Sequence, residues 1–390
     1  MIAIQGGKIF TCENNEVFQD GTILINDQGK IEEIGYRIDI PKGTKIYNAE
    51  GAYIYPGFVE PHSHIGMVEE AIGYEGEDEN ERSGPIQPEL RGIDGCNPMD
   101  PMFQDALKAG VTTVVTGPGS ANVVGGTFFA MKTYGKCIDH MIIKNPTAMK
   151  IAFGENPKKV YGKNRDALPM TRMGIAALLR KLLLESQGYM EKRKRAVGGI
   201  GKDFRLEAML PVMKKEIPLK AHAHRADDIF TAIRIAKEFD VDLTLDHCTD
   251  GHLIIEELKK YRIPCIIGPT FGAKSKFELK NKSFQTAGLL GKANIPFAIM
   301  TDCPVIPQDQ LPLCAALAVK DGCDPYDAIN AITIRGAEFS GIEDRVGSLA
   351  PGKDGDVVIY RGNFLKEIDA YVEATFIEGK IVYQKEQEKI

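Results

Sequence analysis

The chain has no tryptophan, no closely spaced cysteine pair and no long apolar run, and each absence removes a class of protein. Its eight cysteines, at positions 12, 96, 137, 248, 265, 303, 314 and 323, are scattered and form no CxxC. Such scatter reads as free thiols in a reducing compartment rather than a disulfide framework. No apolar stretch approaches the roughly 20 residues of a membrane-spanning helix. The opening "MIAIQGGKIFTC" lacks the basic segment and long apolar core of a signal peptide, so a cytoplasmic location is expected. Excess positive charge is also missing: the net charge is −6, with both signs spread along the chain. A nucleic-acid surface needs a basic face, so neither a nucleic acid nor a membrane is expected as partner.

What is present is an ordinary globular composition, 43% hydrophobic and 26% charged over 390 residues. That length suits a large barrel with a small satellite. Both ends are rich in strand patterns. "MIAIQGGKIFT", "GTILINDQGKIEEIG" and "TKIYNAEGAYIYPG" open the chain; "GDVVIYRG" and "VEATFIEGKIVYQ" close it. The turn "NDQGK" between alternating apolar runs predicts a hairpin. Neither end can bury a core alone, so the two are expected to pair into one small β-sandwich. The expected division is residues 1–52 and 345–390 for the sandwich and 53–344 for the main domain.

Between the ends, short apolar runs alternate with amphipathic helices. The runs are 112–118, 149–155, 219–224, 242–247, 265–271 and 297–302; helical patterns cover 172–195, 204–215, 226–238, 252–262 and 284–292. Asp227 and Asp228 stand where an N-cap and a first-turn acid belong. With "YIYPGFVEPH" as first strand and 127–133 as third, the count reaches eight, which predicts an α/β fold, a (β/α)8 TIM barrel. A long polar segment, 67–101, follows the first strand; loops of this length are lids, binding loops or disordered segments, and Arg82 and Arg91 are candidate grips.

The polar residues then fall into a pattern. The first strand ends at His62-Ser63-His64, the fifth at His222-Ala223-His224, the sixth at Asp246-His247 and the eighth at Thr301-Asp302. In a (β/α)8 barrel these ends converge on one face. Residues i and i+2 of a strand share a side, so His62 and His64 can both grip one ion. Neutral imidazoles suit zinc, and Asp302 adds an oxygen ligand that can also serve as base. An HxH alone arises often by chance. Five of seven histidines at strand ends, with an aspartate at a fourth, make a metal centre the better reading. His140 and His252 receive no role.

These residues resemble a known family. "AEGAYIYPGFVEPHSHIG" is similar to the first-strand signature of the amidohydrolase superfamily, and "GSLAPGKDGDVVIYRG" followed by "VEATFIEGKIVY" is similar to that superfamily's return into its β-sandwich. The resemblance implies one or two divalent metal ions, with zinc expected. It implies His62 and His64 as ligands of the more buried ion, and His222 and His247 as ligands of a second ion or substrate contacts. Asp302 would bind metal and take a proton from the attacking water. His224 falls outside that set and reads as a substrate contact, a support for a ligand or a core histidine. Members with two ions bridge them with a carboxylated lysine or a glutamate from strand four. "MKIAFGENPKKVYG" offers both Lys150 and Glu155: the alternation turns Lys150 inward, whereas Glu155 stands level with the other ligands. Lys150 is favoured.

The implied reaction is hydrolysis of a C–N bond. The chain looks closest to the branch with imidazolonepropionase and Xaa-Pro or isoaspartyl dipeptidases. A small anionic amide, such as a dipeptide or N-acyl amino acid, is expected, with Arg172, Arg225 and Asn122 as candidate contacts. "AHAHRADD" carries no glutamate near the fifth-strand histidines, which counts against a nucleobase-type deaminase. The same motifs are compatible with a cyclic-amide hydrolase; a non-catalytic scaffold on this fold typically lacks some of the metal ligands, and here each strand-end ligand is present. Members of this fold are often homo-oligomers; the sequence does not specify a number.

Overall fold

A computed structural model describes residues 1–70, 73–195 and 201–386. Residues 71–72 of the long polar segment and 387–390 of the C-terminal portion lie outside the described residues.

The first strands are β1 (Ile2–Phe10), β2 (Val17–Ile25), β3 (Ile31–Gly35), β4 (Lys45–Asn48) and β5 (Tyr53–Pro56). The last are β14 (Val357–Arg361), β15 (Tyr371–Ile377) and β16 (Lys380–Gln384). Together they make one hydrogen-bonded sheet in the order β16-β15-β14-β5-β1-β2-β3, with β4 added beside β1. A two-sheet sandwich is therefore not what the hydrogen bonding describes: strands from both termini join in a single branched sheet. It has its own core, which includes Ile4, Ile23, Ile54, Val357 and Phe376. The hairpin expected at 26–30 joins antiparallel β2 and β3, with the Asn26 side chain accepting from the N–H groups of Gln28 and Lys30.

The second sheet holds β6 (Phe58–Ser63), β7 (Val111–Thr116), β8 (Val124–Lys132), β9 (Ile142–Ala152), β10 (Leu219–Ala223), β11 (Leu243–His247), β12 (Cys265–Ile267) and β13 (Phe297–Ile299), paired in chain order. β13 also packs beside β6, which nearly closes a barrel. Its core runs through Met149, Ile151, Leu219, Leu245 and Phe297 to the surrounding helices.

Two expectations need correction. The run "YIYPGFVEPH" is two strands: β5 belongs to the terminal sheet and β6 to the barrel. Gly57 sits at the break, where a Cβ would lie 2.0 Å from Thr112 Oγ1, so only glycine lets the chain pass between the sheets. The barrel is also not all parallel. β8 runs antiparallel to both β7 and β9. The link 117–123 is too short for a crossover of a dozen or more residues, so β8 can only return as a hairpin arm. The remaining neighbours, β6 with β7 and β9 through β13, are parallel.

Helices Arg172–Arg195, Phe204–Met213, Ala226–Phe239 and Gln285–Lys292 follow the predicted patterns. The pattern at 252–262 resolves into two short turns, Gly251–Leu253 and Ile255–Leu258. Helix Ala226–Phe239 is capped from elsewhere: the Ala226 N–H donates to Asp250 Oδ2 at 3.0 Å, and Asp227 and Asp228 both lie inside the first turn.

Candidate metal centre

Strand β6 runs straight into the middle of the barrel end. All its residues are buried, and its register places His62 and His64 side by side, their rings 5.2 Å apart at the centroids. Its position is set from both sides. Glu60 accepts from the Thr301 N–H at 2.9 Å, Thr301 Oγ1 at 2.6 Å and Gln308 Nε2 at 3.0 Å, and the His64 N–H donates to Cys303 O at 2.7 Å. Burial pushes the Glu60 carboxyl up to about 7. β6 is thereby tied to the segment after β13 that carries Asp302.

The ligand-type atoms form two neighbouring trios. His62, His64 and Asp302 make one: Asp302 Oδ1 lies 3.2 Å from His62 Nε2 and 3.3 Å from His64 Nε2. His222, His224 and His247 make the other, with ring centroids 4.3 to 4.7 Å apart. The trios adjoin through His62 and His247, whose centroids are 5.8 Å apart. His247 and Asp302 both hold left-handed backbones, φ 71° and 57°. That conformation costs a non-glycine residue on the order of 1–3 kcal/mol and is typical of functional sites.

The surroundings aim the rings. His64 Nδ1 donates to Gly117 O at 2.7 Å and His247 Nδ1 to Gly268 O at 2.8 Å, which leaves Nε2 of each as the lone-pair atom. His62 Nδ1 faces Asp246 Oδ2 at 3.0 Å, and Lys220 Nζ meets the other Asp246 oxygen at 3.0 Å. Burial alone would raise Asp246; Lys220, His62 and Lys150 beside it hold the carboxylate well below its usual range. Burial lowers His62, His224 and His247, and brings His222 down to about 4, so these imidazoles are neutral at neutral pH. Against burial, contacts to His62, His64 and His247 keep Asp302 ionised.

These residues fit a divalent cation. Nε2 of His222, His224 and His247 are buried with no hydrogen-bond partner among the described residues. Buried ring nitrogens facing one another without a hydrogen-bond partner are costly unless a cation stands among them.

The other expected residues fall as follows. Lys150 is fully buried, its Nζ 3.2 Å from His62 Nε2 and 3.9 Å from Asp246 Oδ2, and burial lowers its ammonium to about 8. Glu155 stands in neither trio. What it gives the site is its backbone N–H, which donates to Glu278 Oε2 at 3.0 Å, while its side chain lines an adjacent cavity. That cavity, of about 650 Å³, is also lined by Lys158, Lys159, Lys163, Arg172, Arg225 and Glu278. Each arginine already holds an acid, Arg172 with Asp228 at 3.0 Å and Arg225 with Asp227 at 2.8 Å. The amide of Asn122 is engaged within the protein: Nδ2 donates to Glu81 O at 2.7 Å and Oδ1 accepts from Tyr161 Oη at 2.6 Å. It thereby pins the 67–101 segment to the β7–β8 link, with help from Gly119 N–H to Glu79 O (2.7 Å). Arg91 is an exposed partner of Asp94.

One residue of the site was expected outside the ligand set, and another was not expected at all. His224 stands in the second trio, and the i, i+2 rule applied to His62 and His64 could have found it. Glu278 had no such signal. It lies on the short turn Phe277–Leu279 after β12, 2% exposed, with Oε1 3.6 Å from Nε2 of both His222 and His224.

With the geometry in place, the similarities can be stated. The amidohydrolase family pattern matches residues 53–382. An amidohydrolase from Thermotoga maritima MSB8 has 38% identity and a TM-score of 0.94, covering 99% of this chain and 100% of its own. Amidohydrolase tasK of Hapsidospora irregularis is 27% identical over 87% of this chain, which spans 38% of that relative's length. An imidazolonepropionase of Streptomyces avermitilis is 23% identical over 87% of this chain and 80% of its own. The chain belongs to the amidohydrolase family, a family of hydrolases.

Proposed function

We propose that this protein is a metal-dependent hydrolase that cleaves a C–N bond in a small anionic substrate, such as a dipeptide or N-acyl amino acid. The observation that carries the reading is the pair of adjoining buried trios, one of them with its three ring nitrogens unpartnered among the described residues, beside a cavity rich in cations. His62, His64 and Asp302 would hold one divalent ion, with zinc the expected metal. Lys150, as its carbamate, is the favoured bridge, because its amine is buried against His62 whereas the Glu155 carboxyl stands apart. The ion supplies Lewis acidity and a water whose pKa falls to about 7.

The residues supply the rest. Asp302, ionised, uses Oδ1 beside the two imidazoles and Oδ2 to accept the water proton and return it to the leaving nitrogen. His222 and His247 hold a second ion or polarise the substrate carbonyl. Asp246 and Lys220 keep the His62 ring oriented. Lys158, Lys159 and Lys163 attract the acidic group of the substrate, a role expected from the sequence for Arg172 and Arg225.

A second reading, hydrolysis of a cyclic amide or deamination of a ring, draws on Glu278: a buried carboxyl next to the strand-five histidines could protonate a ring nitrogen. The test is a panel of zinc-loaded assays on acid-bearing dipeptides and N-acyl amino acids, their neutral amides, and nucleobases. Metal-dependent cleavage of the acid-bearing members, at least tenfold faster in kcat/KM than their neutral amides, is expected. Ammonia release from nucleobases alone would replace the first reading by the second, and no metal-dependent turnover with any class would overturn both.

A further inference from the structure

We propose that His224 and Glu278 are direct ligands of a second metal ion, completing with His222 and His247 a set of three imidazoles and one carboxylate. The inference rests on the reading of the protein as a metal-dependent hydrolase and concerns which of its residues touch the second ion.

The first argument is the donor spacing. Glu278 Oε1 lies 3.6 Å from His222 Nε2 and 3.6 Å from His224 Nε2. An N–H···O bond spans 2.7–3.2 Å, so neither contact is a normal hydrogen bond. Two donors on one tetrahedral zinc, with bonds of 2.0–2.1 Å, stand about 3.4 Å apart. The spacing is that of ligands sharing an ion. The same spacing recurs between Asp302 Oδ1 and the His62 and His64 rings, at 3.2 and 3.3 Å.

The second argument is what the atoms offer one another. His247 spends its Nδ1 proton on Gly268 O, and His224 engages Thr249 Oγ1 through Nδ1 at 2.8 Å. Nε2 of His247 is thereby a lone pair, and Nε2 of His224 is turned toward it. These two nitrogens and His222 Nε2 are buried and without a hydrogen-bond partner among the described residues, and Glu278 Oε1, which faces His222 and His224, has the Lys276 ammonium as its partner. Three buried ring nitrogens left without a partner, two of them beside a carboxylate oxygen, are costly unless a cation lies among them. Lys276 Nζ approaches Glu278 Oε1 at 2.7 Å, but its side chain is 24% exposed and it answers only the carboxylate. A carboxylate oxygen has two lone pairs, one for the lysine and one for an ion.

The third argument is that the carboxylate is held in place. Glu278 Oε2 accepts the Glu155 N–H at 3.0 Å. Gly154 precedes it at φ +83°, and a Cβ there would come within 2.7 Å of Glu278 Oε2. The Gly-Glu pair at the end of β9 thus serves Glu278: the glycine leaves space and the glutamate donates its amide.

Metal content decides the matter. Wild-type protein loaded with zinc, freed of excess by gel filtration and measured by plasma mass spectrometry should carry two equivalents. Glu278→Gln and His224→Asn should each carry one, with zinc affinity at the lost position down at least about tenfold. His62→Asn should lose the other equivalent. A zinc-loaded crystal structure of the wild type needs no variant and should place Glu278 Oε1 about 2.0–2.2 Å from an ion. Variants that keep two equivalents, a wild type that takes up one, or a crystal ion beyond reach of Glu278 would overturn the proposal. Glu278→Gln that keeps both ions yet loses turnover would overturn it in favour of a proton-carrying role. A wild type that binds no zinc would remove the hydrolase reading too.

Discussion

Two regions of this protein bury charge, and they do so in opposite ways. Where the terminal sheet meets the barrel, Lys132 Nζ lies 2.8 Å from Asp354 and 2.5 Å from Asp356, Arg345 reaches Asp354 at 2.8 Å, Lys30 also pairs with Asp354, and Asp356 accepts the Glu378 N–H at 3.0 Å. Each buried carboxylate there has its cations. At the other end of β8, the two trios place acceptor against acceptor. The first arrangement is complete as protein and reads as a joint. The second is incomplete as protein and reads as a site. Both are buried and polar; what separates structure from function is whether the polar atoms are satisfied.

The comparison can be broken. Asp302→Asn should have the largest effect: asparagine tolerates the left-handed backbone, so the fold persists, while kcat falls about 10²–10⁴-fold. Steady-state kinetics on metal-loaded protein checks this, and a near-normal rate would remove Asp302 as base. Lys132→Met should act the other way, leaving the buried Asp356 carboxylate without its cation and costing about 3–5 kcal/mol in urea unfolding, with zinc content unchanged. Loss of zinc in that variant would mean the two regions are not separable. Chelation should destabilise the wild type by about 2.7 kcal/mol relative to protein with free zinc at one hundred times Kd. An unchanged melting temperature would count against the barrel end needing an ion.

Smaller effects sharpen the site. Lys150→Ala should lower zinc affinity about 10–100-fold or more, whereas Glu155→Gln should leave it unaltered, read by competition with a chromogenic chelator. Equal effects would leave strand four without a single bridge. Lys163→Gln should raise KM for an acid-bearing substrate about two- to fivefold at constant kcat, an exposed-charge effect that salt weakens. A KM indifferent to both the substitution and salt would take the substrate's acidic group elsewhere.

Much of the site was legible because strands impose a period of two. His62 with His64, and His222 with His224, share a side by that rule alone, and their places at strand ends bring them to one face. Applying the rule to the first pair and not the second left His224 outside the set. The reversed strand was legible too: a link as short as 117–123 cannot cross over. For Asn122, a polar residue in a glycine-rich link suggests a ligand contact, and nothing local shows that Glu81 and Tyr161 engage its amide.

The sequence by itself determined the repeating order of strand and helix, the strand ends on which histidines and Asp302 fall, and the inward side of Lys150. Those follow from periodicity, which is local. Only the tertiary structure decided that Glu278 faces His222 and His224, that Glu155 contributes an amide rather than a carboxylate, and that the two termini share one sheet. Glu278 follows the sixth-strand residue His247 by 31 positions and sits on a turn with no period of its own. Its partners are set by how β9, β10, β11 and β12 lie side by side. Contacts between segments far apart in the chain depend on packing, and no local pattern carries them.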